Sequence, residues 1–147
     1  MDNILKYNKQ TRYDLLYLDI ATSVTRMSYD VDTKVGAVIV KDNNILAFGF
    51  NGMPTGMDNE CKTKEGKTKP EVIHAEANAI CKIARSTGNC EGATLYCTHA
   101  PCMECAKLII QSGIIRVVYK YNHKHSSDLL WNTIEVHDYS NFEKRFE

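Results

Sequence analysis

Two short stretches of this chain carry residue types that together can hold and use a metal ion. His74-Ala75-Glu76 offers an imidazole and a carboxylate, and Pro101-Cys102-Met103-Glu104-Cys105 offers two thiols. His74, Cys102 and Cys105 form a set of nitrogen and sulfur donors suited to Zn²⁺, and three protein ligands leave a fourth coordination position for water. That open position distinguishes a catalytic zinc from a closed structural one. Glu76 is then spare as a ligand. It is placed to take a proton from a zinc-activated water and to return protons to a substrate nitrogen and a leaving amine. A structural knot would need a fourth ligand, and Cys61, Cys81, Cys90 and Cys97 lie at no spacing that suggests one.

The elements that must position these residues follow from periodicity and turn chemistry. Tyr13, Leu16, Tyr17, Ile20, Ala21 and Val24 recur at helical spacing, and Thr11 with Asp14 gives a capping signal. The apolar run Val35 to Val40, the turn Asp42-Asn43-Asn44 and the run Ile45 to Phe50 predict a hairpin. Asn51 to Val72 lacks periodicity, and a loop of that length is uncommon unless functional. A helix is predicted from His74 to about Thr87, a strand over Ala93 to Cys97, a helix over Cys102 to Gln111 and a strand over Ile114 to Tyr119. Thr133 to Val136 reads as a last strand or part of a helical tail. The alternation is that of an α/β fold. It sets both ligand motifs in first helical turns, where three-residue spacing puts both sulfurs on one face and the helix dipoles favour thiolate.

A chain of 147 residues fits one domain with its own core. Lysine plus arginine and aspartate plus glutamate both total 18, so no global basic field advertises a nucleic-acid partner and a small-molecule substrate is favoured. No apolar run approaches the roughly 18 residues of a membrane-spanning helix. The first residues are polar, unlike a signal peptide, and two of the six cysteines belong to the Cys-x-x-Cys motif, so a reducing cytoplasm is the expected location.

The H-x-E and P-C-x-x-C motifs are those of zinc-dependent nucleobase deaminases, and the chain resembles the cytidine and deoxycytidylate deaminase superfamily. The resemblance extends over residues 28 to 121, through Thr33 to Val40, Gly49-Phe50-Asn51-Gly52-Met53-Pro54, His74 to Ile80, Gly92 to Tyr96 and Pro101 to Ile110. The Gly-Phe-Asn-Gly-Met-Pro block points to the deoxycytidylate branch. The resemblance implies a three-layer α/β/α fold around a mixed sheet of about five strands, with residues 122–147 a tail of unassigned structure. It implies hydrolysis of dCMP to dUMP and ammonia, feeding dTMP synthesis, with Glu76 catalytic and His74, Cys102 and Cys105 on the metal. The alternatives are deamination of tRNA adenosine or free cytidine, or a nucleotide-sensing relative without activity.

By the same resemblance, Asn51 binds the sugar 3′-OH, the backbone at Ala75 and Thr98 to Pro101 frames the base, and Tyr121 packs near the base or phosphate. Arg26 and Ser28 are the first candidates for the 5′-phosphate, with Lys34 either a further donor or part of a solvated face. His99 either lines the pocket or is exposed. His123 and His125, with Lys120 and Lys124, form a basic cluster that reads as a solvated tail or a phosphate site. The resemblance also implies a homohexamer activated by dCTP and inhibited by dTTP, the triphosphate held with Mg²⁺. Gly52, Met53, Asp58, Lys62, Lys64, Lys67 and Glu71 would receive the effector and Arg85 would relay its state across a subunit interface.

Overall fold

The computed structural model describes residues 6–122 and 126–142. His123, Lys124 and His125, three of the four residues of the basic cluster, lie outside the described residues. Helix α1 (Lys9–Val24) is capped by Asn8, whose side-chain oxygen accepts from the Thr11 amide at 2.8 Å. The capping signal at Thr11 and Asp14 is therefore displaced by one turn. Asp14 turns inward instead, because a guanidinium waits for it there.

Strands β1 (Gly36–Lys41) and β2 (Asn44–Phe50) form the expected hairpin. Asp42 and Asn43 close it with φ of 51° and 59°, the left-handed conformation that these residues tolerate and a tight hairpin turn requires. Helix α2 (Ala75–Ala84) is followed by β3 (Thr94–His99), α3 (Met103–Gln111), β4 (Arg116–Tyr121) and β5 (Glu135–Asp138). Helix α2 stops short of Thr87 because Ser86 draws the chain away: its hydroxyl donates to the Ile83 carbonyl at 2.7 Å and accepts from the Gly88 amide at 3.0 Å. The stretch around Thr133 to Val136 resolves as a short 3₁₀ turn, Leu130–Asn132, leading into β5.

The five strands make one mixed sheet in the order β2-β1-β3-β4-β5. β1 runs antiparallel to β2 and β3, whereas β3, β4 and β5 run parallel. Successive strand residues face opposite ways, and the two faces receive different helices. Val38, Val40, Tyr96 and Val118 meet Tyr17, Leu18, Ala21 and Val24 of α1. On the other face Ile39, Leu95 and Val117 meet Ala79 and Ile83 of α2 and Ile109 of α3. The result is the expected three-layer α/β/α arrangement. Each fully buried aliphatic side chain here contributes about 1.5–3 kcal/mol.

One residue without a side chain sets how closely α2 approaches. A Cβ on Gly49 of β2 would lie 2.4 Å from the Ala75 carbonyl oxygen and 2.5 Å from the Ala79 nitrogen. Glycine at this position lets the first turn of α2, which carries the imidazole and carboxylate, settle directly against the sheet.

Candidate active site

His74 and Cys102 are the N-caps of α2 and α3, just outside the first turns in which the sequence places them. Both have extended backbone, with ψ of 155° and 174°, and neither side chain makes a capping hydrogen bond to its helix. Imidazole and thiol are thus left to face each other. Cys105 is the third residue of α3, and the side chains of an N-cap and the third helical residue adjoin, as in a capping box. Here that adjacency brings two sulfurs together.

His74 Nδ1 lies 3.3 Å from Cys105 Sγ and 3.5 Å from Cys102 Sγ, and the three ligand atoms all fall within 4.8 Å of one another. Tetrahedral zinc with Zn–S near 2.3 Å and Zn–N near 2.0 Å separates nitrogen from sulfur by about 3.5 Å. The donor set and its spacing fit that ion. Charge leads to the same assignment. Burial pushes the Cys105 thiol far above its usual range, with the Glu76 carboxylate and Cys102 adding to the shift. A divalent cation at this point is what turns such a thiol into a thiolate.

Glu76, the second residue of α2, is only 4 % exposed, with its carboxylate beside the Cys105 thiol. Behind it the buried Cys97 thiol is also pushed up, by burial and then by the Glu76 charge, as befits an inert core thiol. Glu76, His74, Ala75 and Cys102 line a cavity of about 580 Å³, within the usual range for a small-molecule site.

The other sequence candidates divide into three groups. Asn51 lines the cavity with Ala75, and its amide also ties down the adjoining wall, donating to the Thr33 carbonyl at 2.8 Å and accepting from the Val35 amide at 2.9 Å. An amide has two N–H groups and two lone pairs, so half its capacity is still available. Thr98 and Pro101 are buried behind the wall, the Thr98 hydroxyl accepting from the Gly36 amide at 3.1 Å, while Ala100 between them lines the cavity. His99 does line the cavity, resting on the exposed Tyr121 ring with 5.5 Å between centroids. Tyr121 itself is not among the cavity-lining residues. Neither are Arg26, which is exposed, and Ser28, whose hydroxyl donates to the Asn51 carbonyl at 2.8 Å. Lys34 donates to the Ser28 carbonyl.

The residues named for an effector are also spread apart. Gly52 pairs with Ile73 through two backbone hydrogen bonds, Met53 is half-buried, and Asp58, Lys64 and Glu71 are exposed on the loop between β2 and α2. Arg85 is exposed at the C-terminal end of α2. Lys62 differs from these in lining the cavity that Glu76 lines. Sequence reasoning passed over Asp30, Thr33, Val35, Thr68 and Val72, which line the same cavity. For Thr68 and Val72 the sequence signal was the unusual length of the loop that carries them, for Thr33 and Val35 their place at the start of the Thr33 to Val40 block, and for Asp30 there was none.

A sequence profile of the cytidine and deoxycytidylate deaminase zinc-binding region matches residues 11–121. Human deoxycytidylate deaminase is 39% identical over 120 residues, which cover 76% of this chain and 66% of the human protein. The deoxycytidylate deaminase of Mycobacterium phage D29 is also 39% identical, over 122 residues covering 73% of this chain and 93% of the phage protein. Among solved structures, the dCMP deaminase of cyanophage S-TIM5 in complex with dCMP and dUMP superposes with a TM-score of 0.84. It is 36% identical, and the match covers 90% of this chain and 98% of the cyanophage one.

Proposed function

This chain belongs to the cytidine and deoxycytidylate deaminase family, and on that premise we propose that it hydrolyses dCMP to dUMP and ammonia, supplying dUMP for dTMP synthesis. The observation that carries the reading is the buried Glu76 carboxylate beside His74, Cys102 and Cys105 at the wall of a nucleotide-sized cavity. Support for dCMP as the particular substrate comes from the deoxycytidylate deaminases that this chain resembles and from the dCMP and dUMP bound to the S-TIM5 enzyme.

His74, Cys102 and Cys105 would hold a zinc ion, whose Lewis acidity would make a water acidic enough to attack at neutral pH. The remaining work falls to side chains of the chain itself. Glu76 accepts the proton of the attacking water, delivers it to N3 of the cytosine ring and assists the departure of ammonia from C4. Its rigid place in the first turn of α2 keeps one carboxylate within reach of all three positions. Asn51 offers its unused donor and acceptor to the sugar, and the backbone at Ala75 and Ala100 flanks the base. The cavity wall excludes bulk water around the carboxylate, which strengthens its electrostatic interactions.

The test is ammonia release by zinc-loaded protein from dCMP, with deoxycytidine, dCTP and a tRNA anticodon stem for comparison. Turnover confined to dCMP supports the reading, and turnover only on another of these overturns it. We further read the chain as a single domain that assembles into a cytoplasmic hexamer, activated by dCTP and inhibited by dTTP with Mg²⁺ on the triphosphate. All six cysteines are unpaired, in keeping with a reducing compartment. The exposed residues of the β2–α2 loop and Arg85 are the candidates for contact with effector and neighbour. Saturation curves for dCMP that neither dCTP nor dTTP alters would remove the regulatory part.

A further inference from the structure

Asn51 directly follows β2, and the backbone on both sides of it is fully hydrogen-bonded. A planar peptide unit lies before its Cα and another after it, each with one C=O and one N–H. In the unit before, the Phe50 carbonyl accepts from the Asn78 side-chain amide at 2.7 Å, and the Asn51 N–H donates to the Val35 carbonyl at 3.4 Å. In the unit after, the Asn51 carbonyl accepts from the Ser28 hydroxyl at 2.8 Å, and the Gly52 N–H donates to the Ile73 carbonyl at 3.1 Å. Both planes are held at two points, so φ and ψ of Asn51 are set by groups outside the residue.

Two of the four anchors are side chains from different elements. Asn78 is on α2, two residues after Glu76 and four after His74, and Ser28 lies just beyond the 3₁₀ turn that follows α1. Neither is among the residues lining the cavity, whereas Asn51 is. The Val35 bond exceeds the usual 2.7–3.2 Å of an N–H···O contact, so the shorter Asn78 bond is the firmer restraint on the preceding plane. The Asn51 side chain is tied as well, to the Thr33 carbonyl and the Val35 amide, which leaves it one N–H and one lone pair. A sugar hydroxyl, both donor and acceptor, can meet either.

We propose that Asn78 and Ser28 are positioning residues that preset Asn51 for the sugar, with Asn78 fixing the span between that contact and Glu76. This inference rests on the dCMP reading and on Asn51 as the partner of the 3′-OH. The metal ligand His74, the carboxylate of Glu76 and the amide of Asn78 share the N-terminal part of one helix. The grip of Asn78 on the Phe50 carbonyl therefore places the sugar contact in the same rigid frame as the reacting centre. The close approach of Gly49 to Ala75 and Ala79 brings the end of β2 within reach of that amide. An amide already in place binds the sugar without first being ordered, and a shift of about 1 Å would misplace the base over Glu76.

The readout is discrimination at the 3′ position: kcat/KM for dCMP divided by kcat/KM for 2′,3′-dideoxycytidine monophosphate, which lacks the 3′-OH. Wild type should favour dCMP, and Asn51→Ala should remove most of that preference. Asn78→Leu, which keeps the bulk and loses the donor, should lower the preference by about 3–10-fold, the size of one hydrogen bond. Ser28→Ala should move it in the same direction. In an Asn51→Ala background, Asn78→Leu should leave the ratio where it stands, because no contact remains to be positioned. A residue that only stabilises the fold gives another pattern, a lower Tm with kcat/KM reduced by the same factor for both nucleotides. That pattern in Asn78→Leu overturns the proposal, as does a further fall of the ratio in the double variant. If Asn78→Leu does not fold, Ser28→Ala decides by the same ratio. Wild type inactive on dCMP overturns the dCMP reading and this inference together, and wild type that does not discriminate overturns the Asn51 contact and this inference together. Active, discriminating wild type with an unchanged ratio in Asn78→Leu overturns this inference alone.

Discussion

Two buried carboxylates, on opposite faces of one sheet, have opposite fates. Asp14 under α1 is 1 % exposed, and Glu76 at the start of α2 is 4 % exposed. Asp14 takes a bidentate grip from Arg116, at 2.8 and 2.6 Å, and further hydrogen bonds from Tyr96 at 2.7 Å, Tyr139 at 2.9 Å and Gln10 at 3.0 Å. Every lone pair is engaged within the protein, Asp14 lines neither the Glu76 cavity nor the one beside Tyr139, and against the upward push of burial Arg116 and the tyrosines hold its carboxyl below the usual range. Glu76 instead lines a cavity beside three metal-ligand side chains. Burial alone therefore does not mark a catalytic acid. What separates the two is whether the carboxylate has a route to a substrate.

Four experiments would break or sharpen this contrast. Cys105→Ala should have the largest effect, losing stoichiometric zinc and activity together; a variant that kept its metal by elemental analysis would refute the ligand assignment. Next comes Glu76→Gln, which should retain zinc and fold yet lose about 10²–10⁴ in kcat as a general acid–base is removed. Unchanged turnover would reduce Glu76 to the status of Asp14. Arg116→Met strands the Asp14 charge and should cost about 3–5 kcal/mol, lowering Tm by about 10 °C. Under conditions where that variant is folded, its kcat/KM should match wild type; a large catalytic loss would make the Asp14 cluster part of the active machinery.

The smallest effect concerns pH. The folded-state pKa of Asp14 lies below the ordinary value of 3.8, so the unfolded chain binds the proton more tightly. Its stabilising contribution is accordingly complete well above pH 3.8 and is lost as pH falls below that value toward the folded-state pKa. Urea melts of wild type and Asp14→Asn should therefore differ most near neutrality and converge in acid. A gap that widened on acidification would reverse the sign assigned here.

Most of the strands and helices were legible because their cues are local. The β1–β2 hairpin announces itself through apolar runs on either side of the Asp42-Asn43 turn, and the ends of α1 and α2 moved only where a nearby Asn8 or Ser86 offered a better bond than the expected one. β5 was ambiguous because four residues carry too little periodicity; pairing with β4 decided it. The loop from Asn51 to Val72 was recognisable as functional by length, but its lysines were indistinguishable from one another in sequence. Only the fold carries Lys62 back to Asp30 and leaves Lys64 in solvent.

By itself the sequence determined the metal donors and the carboxylate beside them, because imidazole, thiol and carboxyl chemistry belongs to residue type and their spacing is fixed within one helical turn. It also determined the alternation of elements that makes an α/β fold. Tertiary structure decided which distant groups meet. It set His74 against Cys105, placed Asp30 and Lys62 on the substrate cavity, and joined Asp14 to Arg116 across 102 positions of chain. Those pairings depend on strand order and register: a shift of one residue in β4 would turn Arg116 to the opposite face of the sheet, away from Asp14.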